Sequence, residues 1–409
     1  MGFTQGLSGL NTSGRALDVI SNNIANTSTV GFKSSHAVFA DVYAGALTGV
    51  SSAIQVGYGS KIAAVYQSFV DGIPTTTNNP LDMAIIGNGF YVIQRFDGTT
   101  AYTRNGQFDI NKDGYIITAN GEKVMGVRAD DNGIIPPSGG IVQPLFVPLG
   151  DIDPKATTLV EIRSGNLNAD EEPVAVVPFD PADLDSYTFM NPIPVYDSLG
   201  GQHSLAVYFV KTGPGTWDAY AMLDNDITTL SAATALAFDA YGKPVTTPVQ
   251  IPYTAVLTNS AAAMNITIDL TNLNQFGVKS AINDLGQDGY TAGRIAGVVV
   301  TQDGVIQGRY TNGQAKDLGQ MVLATFRSNQ GLARVGDNLW AESPESGSPI
   351  IGRPRSGLNG LINGGQVEES NVDLTQELVN MIIQQRNYQA NAQTIRTQDQ
   401  ILQTLVNLR

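Results

Sequence analysis

Apolar residues recur at a 4-3-4-3 spacing at both ends of the chain. Near the start the positions are Phe3, Leu7, Leu10, Gly14, Leu17, Ser21 and Ile24. This is a heptad seam with two small gaps, and it predicts an amphipathic helix that pairs with another. The same spacing returns at Leu374, Leu378, Met381, Gln385, Tyr388, Ala392, Ile395, Asp399, Leu402 and Val406. No Gly or Pro follows Gly365, so the last helix can run ~35–40 residues, on the order of 55 Å at the α-helical rise. Asn371 or Asp373 is the expected cap, and Asp373 and Glu377 precede Arg386, Arg396 and Arg409, the order the helix dipole favours. The residues expected at helix and subunit interfaces are Phe3, Leu7, Leu10, Leu17, Ile20, Ile24, Leu374, Leu378, Met381, Gln385, Tyr388, Ala392, Ile395, Leu402 and Leu405.

Between the ends the pattern changes to short alternating runs broken by turn residues. Asn-Gly and Asp-Gly pairs mark tight hairpins, because their turns need φ > 0. The chain has twelve, all within 71–133 or 288–364. One hairpin-rich β domain made of two segments, 71–147 and 286–365, accounts for this, with a second mainly β domain, 148–285, inserted in it. Within the insert, 204–210 and 265–270 read as strands, and proline clusters at 173–194 and 244–252 mark loops or strand edges. Residues 1–27 and 366–409 form the terminal helical domain, and 28–70 a Gly- and Ser-rich connector with no clear element. The expected fold is multidomain α+β. Two long terminal α-helices pair as a coiled coil, and two mainly β domains lie between them, the outer inserted in the inner.

Composition sharpens the reading of the ends. Residues 369–409 hold thirteen Asn and Gln but only seven charged residues, whereas a solvated helix usually carries many Lys and Glu. The first helix has only Arg15 and Asp18, and it contains Gly2, Gly6, Gly9 and Gly14, each costing about 1 kcal/mol relative to Ala. Such a helix is marginal alone. Both ends are therefore expected to order against other subunits, with dilute protein trimmed by protease over about 1–30 and 365–409. The alternative is an ordinary helical hairpin closing a globular domain.

Charge and chemistry exclude most other roles. The net charge is −14 with a pI near 4.5, which argues against nucleic acid or an anionic membrane as partner. Cys is absent and only His36 and His203 are present, so thiolate and His-rich metal sites are out. The run from Asp109 to Asp113-Gly114 matches half an EF-hand loop, but Asn120 stands where the bidentate Glu belongs. No phosphate-loop, nucleophile-elbow or zinc-protease pattern occurs. No catalytic, cofactor-binding or metal-binding residue is expected. The opening MGFTQGLSGL has neither a basic leader nor an apolar core, so no cleavable secretory signal is expected, and no stretch is long and apolar enough to span a membrane.

The end segments also carry a resemblance. Leu17-Asp18-Val19-Ile20-Ser21-Asn22-Asn23-Ile24-Ala25-Asn26, followed by Gly31-Phe32-Lys33, resembles the N-terminal motif of the bacterial flagellar rod and hook (axial) protein family. Ser370-Asn371-Val372-Asp373-Leu374, followed by 377–382 and 385–391, resembles that family's C-terminal motif. Residues 81–92 and 102–108 look like the start of its middle domain. An insert of this size is similar to the hook branch, as are 195–200 and 207–211 within it. The resemblance implies a structural subunit that leaves the cell by type III flagellar export and polymerises helically, with copies of itself, into a curved hollow tube. That tube is a flexible universal joint carrying torque from rod to filament. Terminal helices would line its channel, and outer domains would slide as it bends. The implied partners, beyond itself, are rod, hook-cap, hook-length-control and hook–filament junction proteins. The rivals are a straight distal-rod-like axial protein and, in another class, a secreted β-rich adhesin or carbohydrate-active enzyme.

Overall fold

The computed structural model describes residues 2–42, 57–137, 140–176 and 178–407, with the side chains of Gly2 and 405–407 excluded. The expected interface side chain of Leu405 lies outside the described residues, as does 43–56 of the connector. The chain forms two compact units. The first comprises Met1–Leu149, Gly297–Gly308 and Ala315–Arg409, and the second Gly150–Ala296 and Arg309–Gln314.

In the first unit, helix α1 (Gly2–Ala25) and helix α2 (Leu374–Asn407) run antiparallel. Gly6 faces Ile395 and Gly9 faces Asn391, while Asn23 reaches Glu377. Asp373 caps α2, its Oδ1 accepting from Thr375 N at 2.9 Å and Gln376 N at 3.1 Å. The connector holds an antiparallel hairpin, β1 (Ser35–Asp41) and β2 (Ser60–Gln67), with a bulge at Val38/Phe39. The hairpin lies on α1: Gln5 Nε2 donates to Gly57 O at 2.6 Å, and the Thr12 and Ser60 hydroxyls are 3.1 Å apart. The connector thus carries two strands where no clear element was expected.

The rest of the unit is β structure in which early and late segments pair directly. Pro74–Thr76 pairs with Gln366–Glu368, Met83–Ile86 with Leu361–Gly364, Thr100–Thr103 with Leu339–Ala341, and Lys123–Arg128 with Ala315–Met321. Five of the Asn-Gly and Asp-Gly pairs close hairpins, with Gly98, Gly114, Gly121, Gly304 and Gly313 at φ between 72° and 88°. The core packs Phe90, Val92, Tyr102, Val127, Val322 and Trp340. Phe69 and Phe90 both lie against Trp340 within 6 Å of its ring.

The second unit has a five-stranded and a four-stranded sheet that share one apolar core, including Ile162, Val207, Phe209, Trp217, Ile266 and Ile268. The strand Gln202–Gly213 is buried on both faces. Leu205, Val207 and Phe209 enter this core, while Ala206 and Tyr208 pack under Phe179, Tyr187 and Tyr220. The prolines sit where a ladder tolerates a missing donor: Phe189–Tyr196, with Pro192 and Pro194, and Gln250–Ala255, with Pro252, are edge strands. This unit runs past the expected limit at 285, to Ala296. The strand Ala281–Gln287 pairs along Leu159–Asn168 and carries the chain on.

Candidate functional site

Two features converge where the chain's ends meet: a sealed polar junction and an unsealed apolar surface.

The junction gathers the residues quoted for the family resemblance. Asn23 is fully buried at the end of α1; its Oδ1 accepts from Ser35 N at 2.9 Å, and its Nδ2 donates to Ser35 O at 2.7 Å and Glu377 Oε1 at 3.0 Å. One amide thus joins α1, β1 and α2. Asn371 does the same from the other end: its Oδ1 accepts from Ser34 N at 2.7 Å, and its Nδ2 donates to Ser68 O at 2.9 Å and Val70 O at 3.0 Å. Gly31 has φ +71°, and a Cβ there would stand 2.6 Å from Asn105 N, so no larger residue fits. Phe32 is buried beside it.

Lys33 lies at the centre. Its ammonium is sealed from solvent, 2.5 Å from Glu368 Oε1, and donates to Val70 O at 2.8 Å. Glu368 Oε2 takes Arg104 Nη1 at 3.2 Å, Arg104 also reaches Asp71 Oδ1 at 3.3 Å, and Gly72 N donates to Glu368 Oε1 at 2.8 Å. Burial pulls the Lys33 pKa down against the pull of Glu368. Two cations and two carboxylates leave the network neutral, which a buried ionic cluster needs. Beside it, Gln67 accepts from Trp340 Nε1 at 3.0 Å and Arg334 Nε at 3.1 Å. Among the signature residues, Asn22, Ala25, Asp373 and Leu374 are exposed, and Ile24, Asn26 and Val372 half-buried. Lys33 and Arg104 lie in segments that carried the resemblance, but nothing in the sequence paired them, and their shared partner Glu368 carried no signal.

The apolar surface lies on the helices. On α1 the buried positions are Gly6, Thr12, Ser13, Ala16, Ile20 and Asn23, a mostly small stripe one or two positions off the heptad seam. The seam itself is left outward: Phe3 is 45% and Leu7 43% exposed, and Leu10, Leu17 and Ile24 are half-buried. On α2, Met381, Ala392 and Ile395 are half-buried. Leu374, Leu378, Gln385, Tyr388 and Leu402 are exposed, as are Val379, Ile382, Ile383 and Ile401. On the hairpin, Phe39, Val65 and Tyr66 are exposed as well. Monomers rarely leave large apolar patches uncovered, and here exposed apolar side chains recur on both helices and the hairpin.

The remaining chemical candidates resolve into structure. Around Asp113-Gly114, Asn111 Oδ1 accepts from Asp113 N and Tyr115 N at 3.0 and 2.9 Å, and short strands flank the turn. His203 in the second unit bridges Asp224 Oδ2 at 2.6 Å and Asp197 Oδ2 at 3.3 Å; Asp197 is buried and also held by Asn259 Nδ2 at 2.6 Å. No helix among the described residues is long and apolar enough to cross a membrane.

Comparison with known proteins matches these regions in chain order. Four family models match: "Flagella basal body rod protein" over 5–33, "Flagellar hook protein FlgE/F/G D1 domain" over 84–171, "Flagellar basal body protein FlaE D2 domain" over 166–290 and "Flagellar basal body rod FlgEFG protein C-terminal" over 363–408. The flagellar hook protein FlgE of Escherichia coli K12 is 40% identical over 413 residues, covering 100% of both chains. That of Borreliella burgdorferi is 31% identical, covering 99% of this chain and 98% of its own. The crystal structure of Helicobacter pylori flagellar hook protein FlgE2 shares the fold at TM-score 0.53 and 15% identity, covering 73% of this chain and 100% of its own. Alike from end to end with such relatives, through both helices and the β regions between, the chain belongs to the flagellar hook protein FlgE family.

Proposed function

We propose that this chain, a structural subunit of the bacterial flagellar hook, assembles by packing its antiparallel helical pair, coiled-coil fashion, against the pairs of neighbouring copies. The observation that carries this reading is the division of α1 and α2 into two faces. The small stripe is spent inside the protomer, and Phe3, Leu7, Leu374, Leu378, Ile382 and Leu402 remain outside. Burying each such side chain contributes about 1.5–3 kcal/mol, so a seam repeated between copies outweighs the cost of ordering the helices. An open helical polymer needs a contact that does not close on itself, and faces on two different helices supply one. The charge-poor amide surface of α2 suits contact with protein on several sides.

The finer parts of the reading follow from this base. The second unit, inserted between segments of the first, makes the adjustable outer contacts of a universal joint between rod and filament. Rod, hook-cap, hook-length-control and hook–filament junction proteins meet the same helical ends at the tube's limits. The role is mechanical and requires no catalytic residue. The test is a pair of variants, Leu378→Gln and Leu402→Gln, followed by sedimentation and electron microscopy of concentrated protein. Wild type forms curved tubes, and each variant needs more than about tenfold higher concentration, since 1.4 kcal/mol is a factor of ten. Variants that polymerise like wild type would remove the helical seam from the assembly. Straight tubes would favour a rod-like role.

A further inference from the structure

A cleft of about 370 Å³ opens in the first unit beside the end of α1. Its lining is mostly polar, with Asn26, Asn105, Asn120, Asp337 and Asn338 around Glu122. Glu122 is the anomaly. Its side chain is 7% exposed, and its Oε2 is buried with no hydrogen-bond partner. Its Oε1 faces Arg95 Nε at 3.6 Å, beyond hydrogen-bond length, and the Arg95 side chain is 38% exposed. Burial raises the Glu122 pKa, Arg95 opposes that, and Asp337 and Asp97 add to it. Three carboxylates therefore stand against one loosely placed guanidinium. Buried carboxylates are ordinarily paired, and this one is incompletely so. The Gln107 and Asn120 side chains, also in the lining, make no hydrogen bond among the described residues.

We infer that this cleft receives a guanidinium group from a neighbouring copy of the same chain, an inference that rests on the polymer reading above. A planar cation with five N–H donors matches a carboxylate set among amide oxygens. An apolar plug would strand the same groups. The donor enters as the exposed Arg95 side chain rotates aside from Glu122. The chain also carries cations to offer: Arg386 and Arg396 on α2 are exposed and form no ion pair among the described residues.

The test has two arms on the full chain. In the first, dilute protein is titrated with N-acetyl-arginine methylamide and followed by amide NMR. Shifts confined to Asn105, Gly121, Glu122 and Asn338, and lost in Glu122→Gln, are expected. No shifts, or equal shifts with the lysine analogue, overturn the guanidinium site. In the second arm, the concentration needed for polymerisation is measured by sedimentation. Glu122→Gln, and separately Arg386→Gln with Arg396→Gln, raise it by about tenfold or more, as truncating one partner of a buried charge pair does. Because Arg386 and Arg396 also lie on the helical seam, the combined variant decides the matter: if an arginine of the pair fills the cleft, Glu122→Gln adds nothing to the loss already caused by the arginine pair, and additive losses overturn that occupant. Unchanged assembly in both overturns the second copy as occupant. A wild type that never polymerises brings down the assembly reading with it, while the titration still decides what the cleft binds.

Discussion

Asn23, Lys33 and Asn371 show how single side chains hold the junction together. Each ties together segments far apart in the chain, and each is the chemical type its place requires. An amide both donates and accepts in one plane, so Asn23 can hold both backbone groups of Ser35 while reaching Glu377, and Asn371 can bridge the backbone at Ser34 and Ser68. Lys33 spans from the surface of α1's exit to a carboxylate 335 positions later. Breaking a buried pair by removing one partner strands the other charge. Lys33→Met is therefore expected to destabilise the first unit by about 3 kcal/mol, the low end for such a loss because Arg104 still neutralises Glu368. Each unit holds one tryptophan, Trp340 in the first and Trp217 in the second. Urea unfolding of a Trp217→Phe background, followed through Trp340, reads the first unit separately. An unmoved midpoint would show that the ion pair holds nothing together.

The second unit offers a pH test at the same scale. Burial works against a charged His203, but hydrogen bonds to Asp224 and Asp197 outweigh it and raise its pKa above 6.5. The stability this contributes is complete below the unfolded value near 6.5 and is lost as pH rises through the higher folded value. Asp197 behaves oppositely. Burial raises its pKa, yet hydrogen bonds from Asn259, Gly201 and His203 bring it below 3.8, so its contribution stands above that value and is lost as pH falls through the lower folded one. With only two histidines, proton NMR should give His203 a pKa above that of a model peptide. The unfolding midpoint read through Trp217, in a Trp340→Phe background, should fall as pH rises from 6.5, and His203→Gln should flatten that slope.

At the scale of elements, each terminal helix divides its surface by residue size. Small side chains on α1 let the backbones of α1 and α2 approach: a Cβ at Gly9 would stand 2.7 Å from Asn391 Oδ1. Most large apolar side chains other than Ile20 point elsewhere, and in the proposed assembly they are buried between copies. The start of α2 is set by Asp373 rather than Asn371, whose amide is occupied by the backbone flanking the hairpin, at Ser34, Ser68 and Val70. Asp373→Ala should therefore cost about 1 kcal/mol of helix stability and lower the helical circular dichroism of the polymerised protein. Asn371→Ala should instead loosen the junction without shortening α2. Equal effects of the two on helicity would contradict this division of labour.

At the scale of the whole molecule, the sealed junction and the open helical faces predict where order stops in a free subunit. Limited proteolysis of dilute protein should cut within α1 before Asn23 and within α2 after Leu374. It should spare Lys33 and Glu368, because Gln366–Glu368 is a paired strand with buried charge. The protected core thus extends beyond the limit at 365 expected from composition. Polymerised protein should resist at both ends. Free protein resistant at both ends would mean that the exposed apolar residues are not waiting for neighbours.

Local physics made much of this legible. Heptad spacing marked both helices, and the absence of Gly and Pro together with the amide-rich composition marked the last one. The clustering of Asn-Gly and Asp-Gly pairs separated the hairpin-rich segments from the stretch between them, because a turn's φ requirement is a property of the residues themselves. The prolines marked edge strands for the same reason. The β1/β2 hairpin was not legible, since its strands are far apart and no tight turn announces it. Nor was the face of α1 that turns inward: periodicity shows that a stripe exists, while close approach to α2 selects small residues over large ones. Glu368 and Glu122 were silent too, and Arg104 stood in a recognisable segment without any sign of its partner, because a charge's role depends on what surrounds it after folding. The sequence alone determined which elements form and where the chain turns, interactions within a few residues of one another. Tertiary structure decided which charges are buried together and which apolar faces remain open, since those depend on contacts between segments hundreds of residues apart.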